Sequence, residues 1–349
     1  MDNKRDTFLA IIAINISIIS LILIGLILRP MRAAMLPIIF SLFLFILLKP
    51  FVHFLKEKKV PSIIAVLLSI LLLFIVANLI GFTIYTSLSS FVDGFPKYEE
   101  KIVNLYFSTI NKLNIKHEDI LKFDWESQLS NFSFTKIIGG LFGSIINFLG
   151  NLFIIFIILI YLLISESKLM KKIETIFIKN NKNFVIVVRK INNQIYAYLI
   201  TKTAVSLITG FGAWLILSLY GVDFPIIWAV LTFLLNFIPN FGSLVATILP
   251  FLLAIVQFGN FSKPIWLLIT LVSLQFTMGN LIEPKLMSEN LNMSPVTVLV
   301  SLIFWGWLWG IQGMFIGIPI TGILKIIFEN IQPLKPIAII MSNKIKTGG

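Results

Sequence analysis

The sequence predicts an all-α polytopic membrane protein, with about six to eight transmembrane helices plus re-entrant or broken helical hairpins in its C-terminal half. The first reason is composition: 58% of the 349 residues are hydrophobic, 13% are charged, and the mean hydropathy is +0.97. Only about half of a soluble domain is apolar, so a chain of this composition could not bury its apolar surface in water. The second reason is that charge-free apolar runs are long enough to cross a hydrocarbon core about 30 Å thick.

The N-terminal half contains the clearest spans. Residues 1–90 are predicted to hold the N-terminal transmembrane helices and residues 137–165 the fourth helix, because residues 8–28, 62–90 and 137–165 carry no charged side chain. The first run follows two basic residues, as the core of a signal peptide would. It is longer than such a core, however, and no A-x-A site precedes a soluble domain, so we interpret it as a retained transmembrane helix.

The basic residues are distributed as a topology signal. Cytoplasmic loops of membrane proteins carry an excess of Lys and Arg. Residues 165–202 hold eight Lys or Arg against two Glu, whereas residues 91–136 hold six Lys against seven Asp or Glu. We therefore expect the former stretch, the N-terminus and the tail (residues 333–349) in the cytoplasm, and the latter stretch outside. The net charge of +12 is divided among these loops, so no nucleic-acid partner is predicted.

Two amphipathic helical segments are predicted outside the spans. In the external segment, residues 91–136, apolar side chains recur at helical spacing, and Pro96 followed by Glu99 and Glu100 predicts a helix start. The cytoplasmic segment, residues 166–202, has a similar apolar face. Each segment is too short for a core of its own, so both are expected to pack at the membrane interface or on a neighbouring subunit.

The C-terminal transport core, residues 203–332, contains interrupted apolar segments. The stretch NFIPNFGS, residues 236–243, separates apolar runs of about 12 and 16 residues, and twelve helical residues cover only about 18 Å of the membrane. Broken backbone at membrane depth is tolerated only where protein or a water-filled cavity satisfies it. A solute site near the membrane midplane is therefore predicted, lined by Asn236, Pro239, Asn240 and Gly242. The alternative is a tight turn between two crossing helices.

A second interrupted segment follows the next span. Its middle is marked by four glycines, which are also candidates for the solute pathway: Gly306, Gly310, Gly313 and Gly317. The order span, broken pair, span, broken pair predicts an inverted repeat with two re-entrant hairpins, the arrangement at which transporters place their binding sites. The same glycines form two G-x-x-x-G pairs, so close helix packing is the alternative. If every half-segment crosses, the chain has ten spans instead of six spans and two hairpins.

Few other polar side chains fall within the apolar segments. Gln275, Thr277, Asn280 and Glu283 form the densest group, and the spacing of Thr277, Asn280 and Glu283 predicts that these three share one helix face. A carboxylate within a membrane is usually functional, which makes Glu283 the first candidate for ion coupling. Asp223, at the outer end of a span, is the second candidate. A solvated interfacial ion pair between Glu283 and Lys285 is the alternative.

The C-terminal residues resemble the autoinducer-2 exporter family of bacterial membrane proteins. That family has an N-x-I-P-x-x-G turn, an N-x-I-E-P-x-x-M segment, and then L-x-x-x-P and G-M-x-x-x-x-P. In this chain the motifs fall at Asn236, Ile238, Pro239 and Gly242; at Asn280, Ile282, Glu283, Pro284 and Met287; at Leu291 and Pro295; and at Gly313, Met314 and Pro319. The resemblance covers the whole length. One departure is the sequence YLITKT, where Thr201 and Lys202 stand in place of the Gly and Gln of the family's Y-L-x-G-Q.

The resemblance implies a transport protein in the cytoplasmic membrane of a bacterium. Some members resemble exporters of a small furanone-type signal, and others are linked to sodium/proton exchange or to sporulation. Membership therefore implies transport more strongly than it implies a cargo.

Three functions are compatible with these observations. The leading hypothesis is export of a small polar solute or signal resembling autoinducer-2, by a secondary or facilitated mechanism, because the chain has no G-x-x-x-x-G-K-[ST] nucleotide-binding sequence. The second is antiport of sodium or another monovalent cation against protons, with Glu283 as the coupling residue. The third is a membrane scaffold that transports nothing.

No enzymatic activity is expected, because no nucleophile–base pair is recognisable in the sequence. The chain has no cysteine and two histidines, so neither a metal site nor a cofactor is predicted. The expected partners are the solute or cation, the lipid bilayer and further copies of the chain, since the G-x-x-x-G faces favour a homo-oligomer.

Overall fold

A computed structural model describes the backbone of residues 23–113, 152–178, 182–286 and 291–343, together with residues 15, 16, 20 and 143. Within this part of the chain the elements are helices, with one isolated β-bridge between Met293 and Ser342 and no strand. The predicted all-α class is therefore confirmed. Most of the first predicted span, the end of the external segment and the start of the fourth span lie outside the described residues.

The first two helices are joined by a tight turn. Helix α1 (Arg32–Glu57) has 26 residues, and α2 (Ser62–Leu113) continues without interruption for 52 residues. The predicted helix start at Pro96 is wrong, because α2 passes through this position. The φ angle of proline is itself helical, so inside a helix proline removes one hydrogen bond without always ending the helix. Helix α2 therefore extends well beyond one membrane crossing.

Helix α3 (Leu152–Ile178) lies beside α1 and runs in the same direction. The Ser41 hydroxyl donates to the carbonyl of Ile155 at 3.0 Å, and Lys49 forms an ion pair with Glu166 at 2.7 Å. Because contacts advance along both helices together, α1 and α3 are parallel. Helices α1 and α3 correspond to the second and fourth predicted spans. If successive spans cross the membrane in alternating directions, these two must run in the same direction.

Helix α4 (Lys182–Tyr220) is the central helix of the C-terminal half. Its 39 residues are continuous across residue 202, where the sequence suggested a change from the cytoplasmic segment to the transport core. At about 1.5 Å per residue, α4 is about 58 Å long and exceeds the thickness of the hydrocarbon core. One rigid helix therefore joins the two regions.

The first broken segment forms a hairpin whose two ends lie at the Tyr220 end of α4. Helix α5 (Pro225–Leu235) has 11 residues, and α6 (Phe241–Phe258) has 18. The backbone N–H of Asp223 donates to Gln257 Oε1 at 2.8 Å, and Gln257 Nε2 donates to the carbonyl of Gly221 at 2.8 Å. The start of α5 and the end of α6 are therefore neighbours. We call α5, α6 and the turn between them hairpin 1.

The next helix returns along the membrane. Helix α7 (Ser262–Phe276) continues into a π-helical segment (Thr277–Ile282) and a last turn, α8 (Glu283–Leu286). Since α7 begins close to the base of hairpin 1 and packs against α4 and α6, it runs back toward the Lys182 end of α4.

The second broken segment, α9 (Pro295–Glu329), also folds back on itself. Gly310 has φ 67° and ψ −148°, a backbone conformation outside the helical region that glycine adopts without strain. The hydroxyls of Ser301 and Thr321 lie 2.8 Å apart. In a straight helix, residues 20 positions apart would be separated by about 30 Å. The arms before and after Gly310 are therefore antiparallel, and we call them hairpin 2.

The two hairpins enter from opposite ends of α4. Lys190 near the start of α4 contacts Glu329 at the base of hairpin 2, with 2.5 Å between Nζ and Oε2. The base of hairpin 1 lies at the other end, about 45 Å away along the 30 residues of α4 from 190 to 220. The predicted pair of helical hairpins is confirmed, and their opposite insertion gives the inverted arrangement. The final helix, α10 (Lys335–Met341), packs at the base of hairpin 2, where the carbonyl of Met341 accepts from the backbone N–H of Ser294 at 2.8 Å.

Six described helices are long and apolar enough, by length and composition, to cross a membrane: Arg32–Glu57, Ser62–Thr83, Val185–Tyr220, Phe241–Phe258, Ser262–Leu286 and Pro295–Glu329. The last of these is divided at Gly310 into the two arms of hairpin 2. Large apolar side chains on α2 and α7, such as Leu67, Phe82 and Trp266, remain exposed. Lipid is the solvent that such surfaces require. The chain is therefore a multi-pass membrane protein.

Candidate transport site

A line of buried polar side chains follows one face of α4. Tyr198, Lys202, Ser206 and Thr209 are separated by four, four and three residues, a spacing that keeps side chains on one helix face. Their exposed fractions are 5%, 2%, 0% and 0%. We call these four residues the α4 polar line. Because burying polar groups is unfavourable unless they find partners, the elements that face this line identify the candidate site.

Glu283 is the charged partner of the line. Its Oε1 lies 2.5 Å from Lys202 Nζ, and the two side chains are 17% and 2% exposed. The pair is held inside the protein, so the alternative of a solvated pair between Glu283 and Lys285 is wrong. Lys285 is exposed.

The π-helical segment aims Glu283 at α4. Pro284 has no N–H, and in a regular α-helix its ring would collide with the carbonyl of Asn280. The wider turn over Thr277–Ile282 relieves this conflict just before Glu283. The prediction that Asn280 and Glu283 share one face is therefore wrong: Asn280 is exposed, whereas Glu283 points inward to Lys202.

Two buried hydroxyl groups of α4, one on the polar line and one on the residue after Lys202, have unused hydrogen-bonding capacity. The hydroxyl oxygens of Tyr198 and Thr203 are buried and have no hydrogen-bond partner among the described residues. A buried hydroxyl without a partner is unfavourable, typically by about 1–3 kcal/mol. These groups are therefore available to a polar solute or to water.

The turn of hairpin 1 reaches the α4 polar line through Asn236. Its Nδ2 donates to the hydroxyl of Ser206 at 3.0 Å, and Asn236 is 7% exposed. Ser206 lies 14 residues from Tyr220, so the turn lies about 21 Å along α4 from the base of the hairpin. If the base of hairpin 1 lies at one surface of a hydrocarbon core about 30 Å thick, the turn of the hairpin lies beyond the membrane midplane.

The other residues predicted at this turn lie in different environments. Pro239 is half-buried, and Asn240 is exposed with φ 60°. Gly242 is buried at the point where α6 crosses α5, and a Cβ atom there would lie 1.7 Å from the carbonyl oxygen of Leu235. Asn236 thus contacts the polar line directly, and Gly242 permits the close approach of the two helices.

Hairpin 2 is closed by glycines and by a buried polar triad. A Cβ at Gly313 would lie 1.9 Å from the carbonyl oxygen of Trp305, and Gly306 and Gly317 face side chains of the opposite arm. Trp305 Nε1 donates to Thr321 Oγ1 at 2.9 Å, and Thr321 also contacts Ser301. The close helix packing predicted for these glycines occurs between the two arms of hairpin 2. Gly310 forms the turn that joins the arms.

The inner ends of the two hairpins meet through aromatic rings. Phe237, in the turn of hairpin 1, stacks on Phe315, five residues beyond the turn of hairpin 2, with 4.4 Å between ring centroids and 24° between planes. Phe40 of α1 contacts the same Phe315 at 5.8 Å. Because the neighbouring Asn236 bonds to Ser206, this stack lies between the two hairpins and near the α4 polar line.

Gln275 and Asp223 lie away from this cluster. Gln275 is half-buried on α7. Asp223 lies at the base of hairpin 1, where the hydroxyl of Tyr98 on α2 donates to Asp223 Oδ2 at 2.5 Å. Burial, and then the nearby Asp223 carboxylate, raise the pKa of Tyr98 above its ordinary value. From Lys202 to the end of α4 is 18 residues, about 27 Å, so Asp223 lies far from Glu283 along α4.

Three residues of the cluster are absent from the candidates predicted from the sequence. No site role is predicted above for Tyr198 or Ser206, and Lys202 is named there only as a departure from the family motif. The signal that could have found them is their regular spacing with Thr209, because four polar residues repeat on one face of an otherwise apolar helix.

Two oppositely inserted hairpins that meet over a buried polar line define a membrane transport protein. A family model described as AI-2E family transporter matches residues 16–332. The chain belongs to the AI-2E transporter family.

Individual relatives agree with this assignment. The chain is 29% identical to the AI-2 transport protein TqsA of Escherichia coli K12, over 95% of each chain. It is 32% identical to a candidate transport protein of Borreliella burgdorferi, over 87% of this chain and 83% of the relative. A candidate transport protein of Haemophilus influenzae is 29% identical, over 84% of this chain and 86% of its own. The similarity extends along most of each molecule.

Proposed function

We propose that the protein exports a small polar solute, AI-2 or a chemically similar signal, through the space between the two hairpins. The observation that carries this proposal is the meeting of hairpin 1 and hairpin 2 beside the α4 polar line. The name of the relative TqsA supports AI-2 as the first cargo to test.

The chemistry of the polar line suits an uncharged solute that carries hydroxyl or carbonyl groups. Asn236 supplies an amide with donors and an acceptor, and Ser206 and Tyr198 supply hydroxyls. Lys202 and Glu283 neutralise each other at 2.5 Å, so the site offers hydrogen bonds without a net charge. A neutral polyol or furanone can exchange hydrogen bonds with such groups without the penalty of burying an ion.

Export requires the stacked rings of Phe237 and Phe315 to separate. The base of each hairpin is held by its own contacts. At hairpin 1, Lys101 Nζ donates to the carbonyl of Gln257 at 2.7 Å. At hairpin 2, Lys190 Nζ on α4 lies 2.5 Å from Glu329 Oε2. Movement of one hairpin at a time would open the polar line to one side of the membrane and then to the other.

Cation/proton antiport receives less support. That function needs Glu283 to exchange a cation for a proton, whereas Glu283 already holds the ammonium group of Lys202. For orientation we keep the proposal made from the charge pattern, with both termini in the cytoplasm. Insertion in the bacterial cytoplasmic membrane is proposed from the family, and a homo-oligomer remains the proposal made from the sequence.

The test is flux of AI-2 in proteoliposomes made with the purified protein. Vesicles are loaded with AI-2, and its appearance outside is measured with no ion gradient, with a sodium gradient and with a proton gradient. We expect release faster than from protein-free vesicles. Release at the protein-free rate under all three conditions would contradict AI-2 as the cargo, and sodium-driven proton movement without AI-2 would favour antiport.

A further inference from the structure

We propose that the ammonium group of Lys202 is a built-in cation that occupies the monovalent-cation position beside Glu283, so that transport by this protein is independent of sodium. This inference deepens the proposed function, because it concerns the ion coupling of the same site. It also makes Lys202 the residue that determines this independence.

The geometry assigns this position to Lys202. Its Nζ lies 2.5 Å from Glu283 Oε1, and the lysine side chain is 2% exposed. Lys202 is one of the largest fully buried side chains in the described structure. A charge buried this deeply persists only when it is paired. The carboxylate and the ammonium group are therefore retained together.

A buried hydroxyl oxygen accompanies the carboxylate of Glu283 at the pair. The Tyr198 hydroxyl lies one helical turn from Lys202 on the same face of α4, is buried, and has no partner among the described residues. Carboxylate and hydroxyl oxygens are among the ligands that hard cations use.

The same oxygen atoms would bind a sodium or lithium ion if the ammonium group were removed. An ammonium group and an alkali cation carry the same single charge and both need oxygen partners. They cannot both occupy the space beside one buried carboxylate, since two positive charges about 4 Å apart repel strongly in a low dielectric. Lys202 therefore excludes the free cation.

The consequence is testable by substitution. Lys202→Gln removes the charge but keeps a polar side chain of similar length, and it leaves the Glu283 carboxylate buried without a counter-ion. We expect sodium or lithium to replace the ammonium group in this variant. Lys202→Arg is the matched control because it keeps the positive charge, and Lys202→Gln/Glu283→Gln is the second control because it removes the carboxylate as well.

The first measurement is thermal unfolding of the purified full-length protein in sodium chloride, in lithium chloride and in choline chloride at equal ionic strength. For Lys202→Gln we expect saturable stabilisation by sodium or lithium over choline, with a rise in Tm of about 5 °C or more at saturation. Wild type, Lys202→Arg and the double variant are expected to unfold at the same temperature in all three salts. The choline reference removes general salt screening.

The second measurement uses the wild-type protein alone. Its AI-2 flux in proteoliposomes is compared in sodium chloride and in choline chloride, and equal rates are expected. Sodium-dependent flux in wild type would overturn the proposal, and so would a Lys202→Gln variant that folds but shows no preference for sodium or lithium over choline. If Lys202→Gln is folded only in sodium or lithium, the proposal is supported; if it folds in none of the salts, the wild-type flux decides.

The unfolding measurement needs no cargo, so it is independent of whether AI-2 is transported. If AI-2 flux is absent while the salt response of Lys202→Gln is present, the proposed cargo is wrong and the role of Lys202 stands.

Discussion

Lys202 and Glu283 are the only described buried ion pair on the α4 polar line, and each depends on the other. A buried ion pair is not a reliable source of stability, because desolvation opposes the attraction, but loss of one partner leaves an uncompensated charge. Lys202 is 2% exposed and Glu283 is 17% exposed. The pair therefore predicts a definite pattern of stability in single and double variants.

We expect Glu283→Gln to unfold at a lower temperature than wild type, with a loss of roughly 3–5 kcal/mol, because the ammonium group of Lys202 then remains buried without a carboxylate. The double variant Lys202→Gln/Glu283→Gln should recover much of that loss. Thermal unfolding in detergent at one salt concentration measures both. If Glu283→Gln alone were as stable as wild type, the ion pair would be well solvated, and the interpretation of Lys202 and Glu283 as a buried pair would be wrong.

Asn236 is the residue that joins hairpin 1 to the polar line. Asn236→Leu removes the donor to Ser206 Oγ, and we expect AI-2 flux to fall by about tenfold, equivalent to about 1.4 kcal/mol, because a hydrogen-bonding group for the solute is lost. The matched control is Asn78→Leu, since the Asn78 amide is exposed on α2 and bonds only its own helix at Phe74. AI-2 flux at the wild-type rate in Asn236→Leu would show that the turn of hairpin 1 has a packing role and does not bind the solute.

At the scale of elements, each hairpin depends on a glycine at which its two arms touch. Gly242 lies against the carbonyl of Leu235 in hairpin 1, and Gly313 against the carbonyl of Trp305 in hairpin 2. Both neighbours are backbone atoms, so they cannot rotate away as a flexible side chain could. A single methyl group at either position must push the two arms apart.

We expect Gly242→Ala and Gly313→Ala each to destabilise the protein by about 1–3 kcal/mol, the usual range for overpacking, and to reduce transport. Gly279→Ala is the control, because a Cβ there has no neighbour within 4 Å. The measurements are thermal unfolding and AI-2 flux on the three variants. Equal unfolding temperatures and equal AI-2 flux for Gly242→Ala and Gly279→Ala would mean that the arms of hairpin 1 are not in contact in the functional protein.

The helices outside the hairpins hold the hairpin bases in position. Helix α2 extends past its membrane span to bring Tyr98 to Asp223 and Lys101 to Gln257. The first part of α4 brings Lys190 to Glu329. The amphipathic segments predicted at the membrane interface thus also contact the transport core, one at each end of α4.

At the scale of the whole molecule, α4 separates two ends that must face opposite sides of the membrane. The base of hairpin 1 and the loop after α6 lie at one end, and the base of hairpin 2 lies at the other. The Lys and Arg distribution predicts that the hairpin 1 end is external. Because the chain has no cysteine, single cysteines can report accessibility without background.

We expect an impermeant thiol reagent, added outside intact cells, to label Asn260→Cys in the exposed loop after α6 and not Lys58→Cys in the exposed turn after α1. Permeabilised cells, in which both cysteines should react, provide the control. Labelling of Lys58→Cys but not Asn260→Cys in intact cells would reverse the orientation and the direction of transport proposed above.

The sequence by itself determined the class of the protein and the positions of its breaks. Apolar runs and turn residues act locally, because each run must satisfy its own backbone in lipid and each break needs residues such as Pro239 or Gly310. The family motif at Asn236–Gly242 and at Glu283 likewise marked two of the segments that approach α4. These features depend on neighbours along the chain, so one sequence is sufficient to find them.

Only the tertiary structure decided which polar groups meet. Lys202 and Glu283 are 81 residues apart, and Asn236 and Ser206 are 30 apart. Helical periodicity misplaced Asn280 beside Glu283, because the π-helical turn before Pro284 changes the register within a few residues. It also could not assign Lys202 to the interior, because a lysine beside a cytoplasmic loop is normally solvated. Its burial depends on a carboxylate that another helix brings to α4, and local patterns contain no information about that contact.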